Sequence, residues 1–521
     1  MSMTVLILGA SRMQIPAISA AHDLGFRVAV ADRTSGAPGV ALADEFVRVD
    51  LADQDGMLHA ARRLQSVGGL DGVFTAGTDF STSVAYVAES LGLPGIPFEV
   101  ARNASDKARM RGVFSSAGLP SPRFVTLGLN DDPLRLAASL RKPLVVKPVD
   151  NMGSRGVIRV DTDEELPNSV KSAISSSRTS RVIVEEFIDG PEFSLDALVY
   201  EGEIFVCGIA DRHIRFPPYF VEVGHTIPSS QPRGVQEAVE LLFVGGIQAL
   251  RIENGAAKGD IMFSSDGPVI GEIAARLSGG YMSGWTYPQS TGINITLAAL
   301  NIAVGRHPGA LAPTKSYTSA ERAFFSIPGI VESVSGFSEH PAPPATNAFL
   351  RVSPGDGVKF PRNNVDKCGN TIATAPTREA AISAAESASR SVLVRLRAGT
   401  RETEEFLFGG AENWVPDAFA LRVESNRRHL AAMAESVAVG DEDSPTDLGI
   451  TELPDLKAET DYDWHGRSLV ESLDFVFLSA GVSVAPARRT LGSRFWRALL
   501  RGGIQGALWY VDSIREGQLI F

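Results

Sequence analysis

The sequence predicts an α/β and α+β architecture: a doubly wound parallel sheet at the N-terminus, hairpin-rich α+β segments after it, and a C-terminal extension of unknown fold. Three observations predict it. Short apolar runs alternate with helical periods through the first hundred residues, strand-like runs then crowd together across Gly-rich turns, and four of the five tryptophans (Trp414, Trp464, Trp496, Trp509) fall after residue 398. At 521 residues the chain is too long for one ordinary core. The expected boundaries are 1–100, 101–318, 319–398 and 399–521.

The first unit opens with the apolar run Thr4–Leu8, stopped by Gly9. A helical stretch, Ile15–Leu24, leads to a second run, Val28–Ala31, ending at Asp32. This is a βαβ unit, and Val73–Thr75 before Gly77-Thr78-Asp79, with a helix through Leu91, continues the alternation. A helix over Asp106–Ala117 and a hinge at Gly118–Pro122 follow. Leu144–Pro148 and Gly156–Val160 then flank a Gly-rich turn, and Arg181–Phe187 is followed by Phe193–Tyr200. These read as antiparallel hairpins with helices between them. Gly259–Phe263 and Pro268–Ile273, split by Ser265-Asp266-Gly267, form another. Residues 319–398 read as a cap of short strands and one helix (Thr377–Val392). The acidic, Pro-punctuated segment 440–463 reads as a linker or long loop. The basic stripe Arg488–Arg501 reads as a membrane or partner face, or as long cationic side chains covering a domain surface.

Composition removes several function classes. A net charge of −12 gives no overall attraction to nucleic acid. Two cysteines, Cys207 and Cys368, support neither a disulfide framework nor a zinc site. With no apolar run of about 18 residues and no basic leader, the expectation is a cytoplasmic protein without a membrane partner.

Gly9 and Asp32 are spaced as a dinucleotide site requires, but Ser11 and Gln14 stand where the second and third glycines are needed. That leaves a turn kept tight by packing, or a small-substrate contact. A stronger constellation converges on a nucleoside triphosphate. Lys147 ends a strand beside a loop with Gly153, Ser154 and Gly156, whose N–H groups can face phosphate oxygens, and Lys107 starts a helix. Each lysine alone is otherwise a solvated charge. The strand exit at Glu185, Glu186 and Ile188 suits a purine and Glu192 suits ribose, the alternative being solvated acids at a turn. Asp260 and Glu272, across a hairpin, are hard ligands for Mg²⁺ on phosphates, or else ordinary exposed acids; Arg276 follows as a cation for a transferring phosphoryl group.

In their order these parts resemble the ATP-grasp superfamily of carboxylate–amine ligases over residues 1 to about 398. The resemblance rests on Val5–Ser11, Gly77-Thr-Asp79, Lys107, Val145-Val-Lys147-Pro, the Gly153–Val157 loop, Glu185–Ile188 with Glu192, and Glu272-Ile-Ala-Ala-Arg276. It implies an ATP-grasp fold preceded by a Rossmann-like domain. ATP would lie between two α+β subdomains, with adenine against the backbone of Glu186 and Ile188, phosphates on Lys107, Lys147 and the Gly-rich loop, and Mg²⁺ (or Mn²⁺) on Asp260 and Glu272. It also implies a small carboxylate, an amino acid or a derivative, activated as an acylphosphate and joined to an amine with release of ADP and phosphate. A bicarbonate-dependent carboxylase and a non-catalytic nucleotide-binding module are the alternatives, and a homodimer is an expected assembly. The family often places Asn where this chain has Ala274. Segments 349–356 and 369–375 resemble the C-terminal lobe of the dipeptide-forming L-amino-acid ligase branch. Arg155, His225, Lys258, Ser278, Gly279 and Gly280 are candidate substrate or phosphate contacts, as are Asp32 and Asp79 at strand ends.

Overall fold

Five successive buried residues, Thr4–Leu8, make β1, the strand from which the N-terminal layer is built. In this computed structural model, residues 2–410, 414–419, 424, 461–481 and 493–517 are described. They belong to two compact units: 1–215, 224–321 and 374–381 in the first, and 216–223, 322–373 and 382–521 in the second.

In the first unit, β1, α1 (Ile15–Asp23), β2 (Arg27–Asp32), β3 (Glu45–Arg48), α2 (Gln54–Gly68), β4 (Gly72–Phe74) and α3 (Ser81–Leu91) follow one another. The strands form a parallel sheet in the order β3-β2-β1-β4. Leu6 and Leu8 pack on one side with Met57 and Leu64 of α2, and Val5 and Ile7 on the other with Ala17 and Ile18 of α1. This is the alternation expected of a strand buried on both faces.

Helices α4 (Phe98–Asn103) and α5 (Lys107–Ser116) lead out of this layer. The Asp106 carboxylate accepts from the N–H groups of Ala108 (2.9 Å) and Arg109 (3.0 Å). That N-cap fixes where α5 begins and sets Lys107 in its first turn. A small antiparallel layer comes next: β5 (Phe124–Leu127), α6 (Pro133–Ala137), β6 (Leu144–Pro148), β7 (Ile158–Val160), α7 (Leu166–Ser175) and β8 (Val182–Glu186), with strand order β5-β8-β6-β7. Val146, Val160, Val170 and Val184 fill its core.

The third layer holds β9 (Glu192–Tyr200), β10 (Glu203–Arg215), β11 (Val221–Ile227), α8 (Arg233–Leu250), β12 (Gly255–Ser264) and β13 (Gly267–Ala274), with four strands running β13-β12-β9-β10. Helix α8 lies close on this sheet because residue 246 is glycine: a Cβ there would come within 2.3 Å of the Ile273 side chain. The expected 144–148/156–160 and 259–263/268–273 hairpins form. The pair 181–187 and 193–200 does not. Strand β8 joins β5 and β6, while β9 joins β10 and β12 in another sheet. The break is the Asp189-Gly190-Pro191 link, where Gly190 takes φ 144° and a Cβ would strike the Phe263 carbonyl oxygen. Helices α9 (Tyr287–Thr291) and α10 (Ile295–Ala303) complete the unit, α10 burying Ile295 and Leu300 beside α1.

In the second unit, Gly329–Ser335 pairs antiparallel with Leu393–Leu396, and Ala345–Leu350 with 369–373. Helices Arg401–Phe408, Leu469–Ser479 and Ser493–Arg515 bury Phe406, Phe477, Trp496 and Trp509 in the same core as Leu396 and Phe360. The described parts of 399–521 therefore share one core with most of 319–398. Arg395 grips Asp512 with two nitrogens (2.6 and 2.7 Å), and Trp509 donates to the Arg397 carbonyl (3.0 Å). The described part of the basic stripe covers this unit's surface. Arg494 lies over the Phe408 ring (4.9 Å), and Arg497 donates to the carbonyls of Leu407 and Phe408 (3.3 Å). Residues 440–460 of the expected linker lie outside the described residues. No helix among the described residues is long and apolar enough to cross a membrane.

Candidate functional site

Lys147 on β6 and Glu185 on β8 lie diagonally across paired strands, one face apart from their apolar neighbours. The Lys147 ammonium sits 2.6 Å from one Glu185 oxygen. Arg111, fully buried on α5, sits 2.7 Å from the other and donates to the Gly271 carbonyl of β13 at 2.6 Å. This chain of charges ties the small sheet to the large one. Burial pushes the Glu185 carboxyl up, but Arg111 and Lys147 outweigh it and hold it below the usual range. Burial, with the charges of Arg111 and Lys107, holds the Lys147 ammonium below the usual lysine range against the pull of Glu185.

The two carboxylates of the strand exit point to opposite sides. Glu185 is engaged as above, and Glu186, one residue on, faces the opposite side, where Arg123 (3.0 Å), the Arg141 N–H (3.0 Å) and the Arg141 guanidinium (3.2 Å) hold it. Period two decides this: adjacent strand residues cannot share a face. The backbone around Glu186 and the half-buried Ile188 remain as the strand's exit.

Gly153 (φ 67°), Ser154 (φ 60°) and Gly156 (φ 73°) give the 151–157 loop its left-handed curl. Asn151 anchors its start by donating to the Ser176 carbonyl (2.7 Å), while its own carbonyl accepts from Lys107 (2.8 Å). Arg155 donates to the Met152 carbonyl (2.9 Å) and lies 3.5 Å from Asp79, which also pairs with Arg178.

On the β12–β13 hairpin, Asp260 stands opposite Glu272 and Lys258 opposite Ala274. Cross-strand partners share a face, so the two carboxylates converge, a bulge between Asp260 and Ile261 having shifted the register by one residue to bring Glu272 opposite. Asp260 is paired with Arg212 (3.1 Å) and Lys258, and accepts from Ser194 (3.3 Å). Burial pushes its carboxyl up, but the Arg212 and Lys258 charges more than offset this and hold it at about 2. Glu272 lies 3.5 Å from Lys107, and it too is held below the usual range, burial notwithstanding, by Lys107 and Lys258. Two ionised, half-buried carboxylates in facing positions fit one hard divalent cation. Ala274 adds no third ligand. Glu192 pairs with Arg212 at 3.1 Å.

Arg276 leaves β13 with its Nε donating to the Thr78 carbonyl (2.7 Å) and Nη1 to the Leu277 carbonyl (3.0 Å). A cavity of about 330 Å³ is lined by Thr78, Asp79, Lys107, Asn151, Glu272 and Arg276. Lys107 bridges its two sides, contacting the Gly-rich loop and the hairpin at once.

Other candidates are placed differently from a ligand contact. Ser278 is buried and donates its N–H (2.8 Å) and hydroxyl (2.5 Å) to Asp196. Gly279 lies against Gly77, whose Cβ, if it had one, would be 2.9 Å from the Gly279 Cα; Gly280 turns the chain at φ 62°. These three hold the turn after Arg276 against the β4 exit. His225 is buried on β11, bonded to Thr286 (2.7 Å) and facing Glu321 (3.3 Å), a core histidine. Asp32 accepts from the N–H groups of Ala10 (2.9 Å) and Thr34 (2.8 Å), closing the Gly9 turn. Gln14 fills the place of the missing glycine, its amide bonded to both backbone groups of Ala76.

Sequence reasoning does not reach Arg111, Arg212 or Asp196. Asp196 had a signal: it interrupts the apolar strand Phe193–Val199 on its buried face. Burial pushes its carboxyl up to about 6, against the Ser278 hydrogen bonds. The folded state therefore keeps this proton at pH values where an unfolded Asp, near 3.8, has lost it. The contribution is complete below the unfolded value and is lost as pH rises through 6. Between about pH 4.5 and about pH 7.5, the melting temperature of Asp196→Asn is expected to move upward relative to the wild type. A pH-independent difference between the two melting curves contradicts this.

A model of the ATP-grasp domain family matches residues 140–284, and one of the ATP-grasp N-terminal domain matches 18–95. The chain carries an ATP-grasp domain. The N-terminal match covers most of the parallel sheet in front of the ATP-grasp domain, and a model of the L-amino acid ligase C-terminal domain 2 matches 323–397. Among curated proteins, the chain is 25% identical to the uncharacterized protein y4rH of Sinorhizobium fredii over 67% of this chain and 73% of that one. It is 36% identical to a D-alanine--D-alanine ligase of Pseudomonas entomophila over 22% of this chain, which spans only 36% of that enzyme. The solved L-amino acid ligase from Bacillus licheniformis superposes with a TM-score of 0.64 at 23% identity, covering 76% of this chain and 99% of that one. A phosphoribosylglycinamide synthetase from Anaerococcus prevotii gives 0.61 at 21% identity, over 76% of this chain and 100% of that one. These likenesses show the ATP-grasp fold.

Proposed function

We propose that the protein is an ADP-forming ligase that joins a small carboxylate, an amino acid or a derivative, to an amine. Supporting this most is the arrangement of Lys107, which touches both the Gly-rich loop (2.8 Å) and Glu272 (3.5 Å) on a cavity that Arg276 also lines. ATP binds with its phosphates against Lys107, Lys147 and the loop of Gly153, Ser154 and Gly156. The purine lies at the Glu186–Ile188 exit and the ribose near Glu192. Asp260 and Glu272 would hold Mg²⁺ or Mn²⁺, which supplies charge neutralisation to the terminal phosphates.

The substrate carboxylate attacks the terminal phosphorus, the bond to the ADP oxygen breaks, and Arg276 offsets the charge on the moving phosphoryl group. The resulting acylphosphate has a good leaving group. The amine then attacks its carbonyl carbon, expelling phosphate and losing a proton to leave an amide. Closing the cavity wall over the intermediate keeps water from hydrolysing it.

Amino-acid pairs screened for ADP release give the test. The expected result is ADP formation that needs both members of a pair. AMP and pyrophosphate as products overturn the reading. Turnover that depends on bicarbonate and an amine points instead to a carboxylase, and tight ATP binding without turnover on any pair to a binding module.

A further inference from the structure

The large sheet sets its side chains in rows. Ser194, Asp260 and Glu272 are register partners across β9, β12 and β13, and Asp196, Lys258 and Ala274 are partners in the next row on the same face. A third carboxylate or amide at position 274 would complete a ligand set for a second cation beside Glu272. Alanine stands there instead, and a lysine stands across from it. The Lys258 ammonium contacts one oxygen of Asp260 and the Arg212 guanidinium lies 3.1 Å from the other, so both oxygens of this carboxylate already face cationic side chains. Lys258 is only 14% exposed, and its charge reaches Glu272 as well. An ammonium buried in this way is stabilised by the acids around it, as a bound metal ion would be.

We propose that this site takes a single divalent cation per nucleotide and that Lys258 stands in for a second one, supplying its positive charge from the position facing Ala274. Arg212 assists by holding Asp260 from the far side. The inference rests on the nucleotide reading above, and it concerns only how the phosphate charge is balanced. Lysine brings one charge where a second cation would bring two, so the site would depend on Lys258 for nucleotide affinity rather than on high metal concentration.

Mn²⁺ titration followed by electron paramagnetic resonance of the free ion, on the full chain with an equimolar non-hydrolysable ATP analogue, reads the stoichiometry directly. One bound Mn²⁺ per nucleotide is expected in the wild type. Lys258→Ala should bind the analogue at least about tenfold more weakly, and Lys258→Arg, which keeps the charge and tests that the fold is intact, should recover most of that loss. Lys258→Ala combined with Ala274→Asn should bind two ions. Two ions in the wild type overturn the inference while leaving the nucleotide reading standing, as does a Lys258→Ala protein with unchanged affinity or a double variant that still holds one ion. Failure of the wild type to bind the Mn²⁺–analogue complex at all overturns both.

Discussion

Arg276→Ala is expected to lower ADP formation by about 10²–10³-fold, the size of effect seen when one donor to developing charge is removed, while leaving binding of a non-hydrolysable ATP analogue within a few-fold. The reason is placement. Two of the guanidinium nitrogens are fixed on the carbonyls of Thr78 and Leu277, which hold the group rigid at the cavity wall. A charge held in this way needs no rearrangement when the phosphoryl group moves past it. In the proposed function the lysines and the Gly-rich loop, not Arg276, carry ground-state affinity for the phosphates. Arg276→Lys keeps one charge but cannot reach two carbonyls and the cavity together, so its turnover should fall between the two. Steady-state rates set beside equilibrium binding separate these effects. Equal losses in turnover and affinity would make Arg276 a structural residue only.

Arg111→Met is expected to destabilise the first unit by about 3–5 kcal/mol, the cost of breaking a buried ion pair by removing one partner. Arg111 has no exposed surface. Its loss leaves Glu185 with Lys147 alone and deprives the Gly271 carbonyl of a donor. The effect should be local to the three elements it joins: α5, β8 and β13. Amide hydrogen exchange should show faster opening there and no change in the helices of the second unit. Nucleotide affinity should drop as well, since Lys147 is aimed by Glu185. Unchanged exchange in β8 and β13 would mean that the charges contribute little to holding the two sheets together.

How far the sequence reaches depends on whether a residue's partner is local. Asp260 and Glu272 are legible as neighbours because a tight turn joins their strands, but counting out from that turn pairs Asp260 with Gly271, and only the bulge between Asp260 and Ile261 brings Glu272 opposite. Gln14 is legible as a disqualification: a long side chain where the dinucleotide turn needs glycine fills that space itself. The helix start at Lys107 follows from its Asp106 cap. Arg111 reads as one more charge on a helix, because its acceptor at Gly271 lies 160 residues further along the chain. Ser278 suggests a substrate contact until Asp196, on a strand 82 residues earlier, is seen to accept both its donors. His225 misleads for the same reason, its partners being Thr286 and Glu321. The hairpin expected between β8 and β9 failed through proximity in sequence: neighbouring strands joined by five residues usually pair, but Gly190 and Pro191 send the second into another sheet. In the C-terminal stretch, the density of tryptophan signals a core without saying which strands complete it.

Transfer of heavy oxygen puts the central claim to its most direct test. An amino-acid substrate labelled with ¹⁸O in its carboxylate, turned over with ATP and an amine, should deliver one labelled oxygen to inorganic phosphate and none to the nucleotide, as attack by that carboxylate on the terminal phosphorus requires. Label recovered in AMP, or phosphate released without label, would mean that the carboxylate never meets the phosphoryl group that we propose Lys107, Glu272 and Arg276 to present.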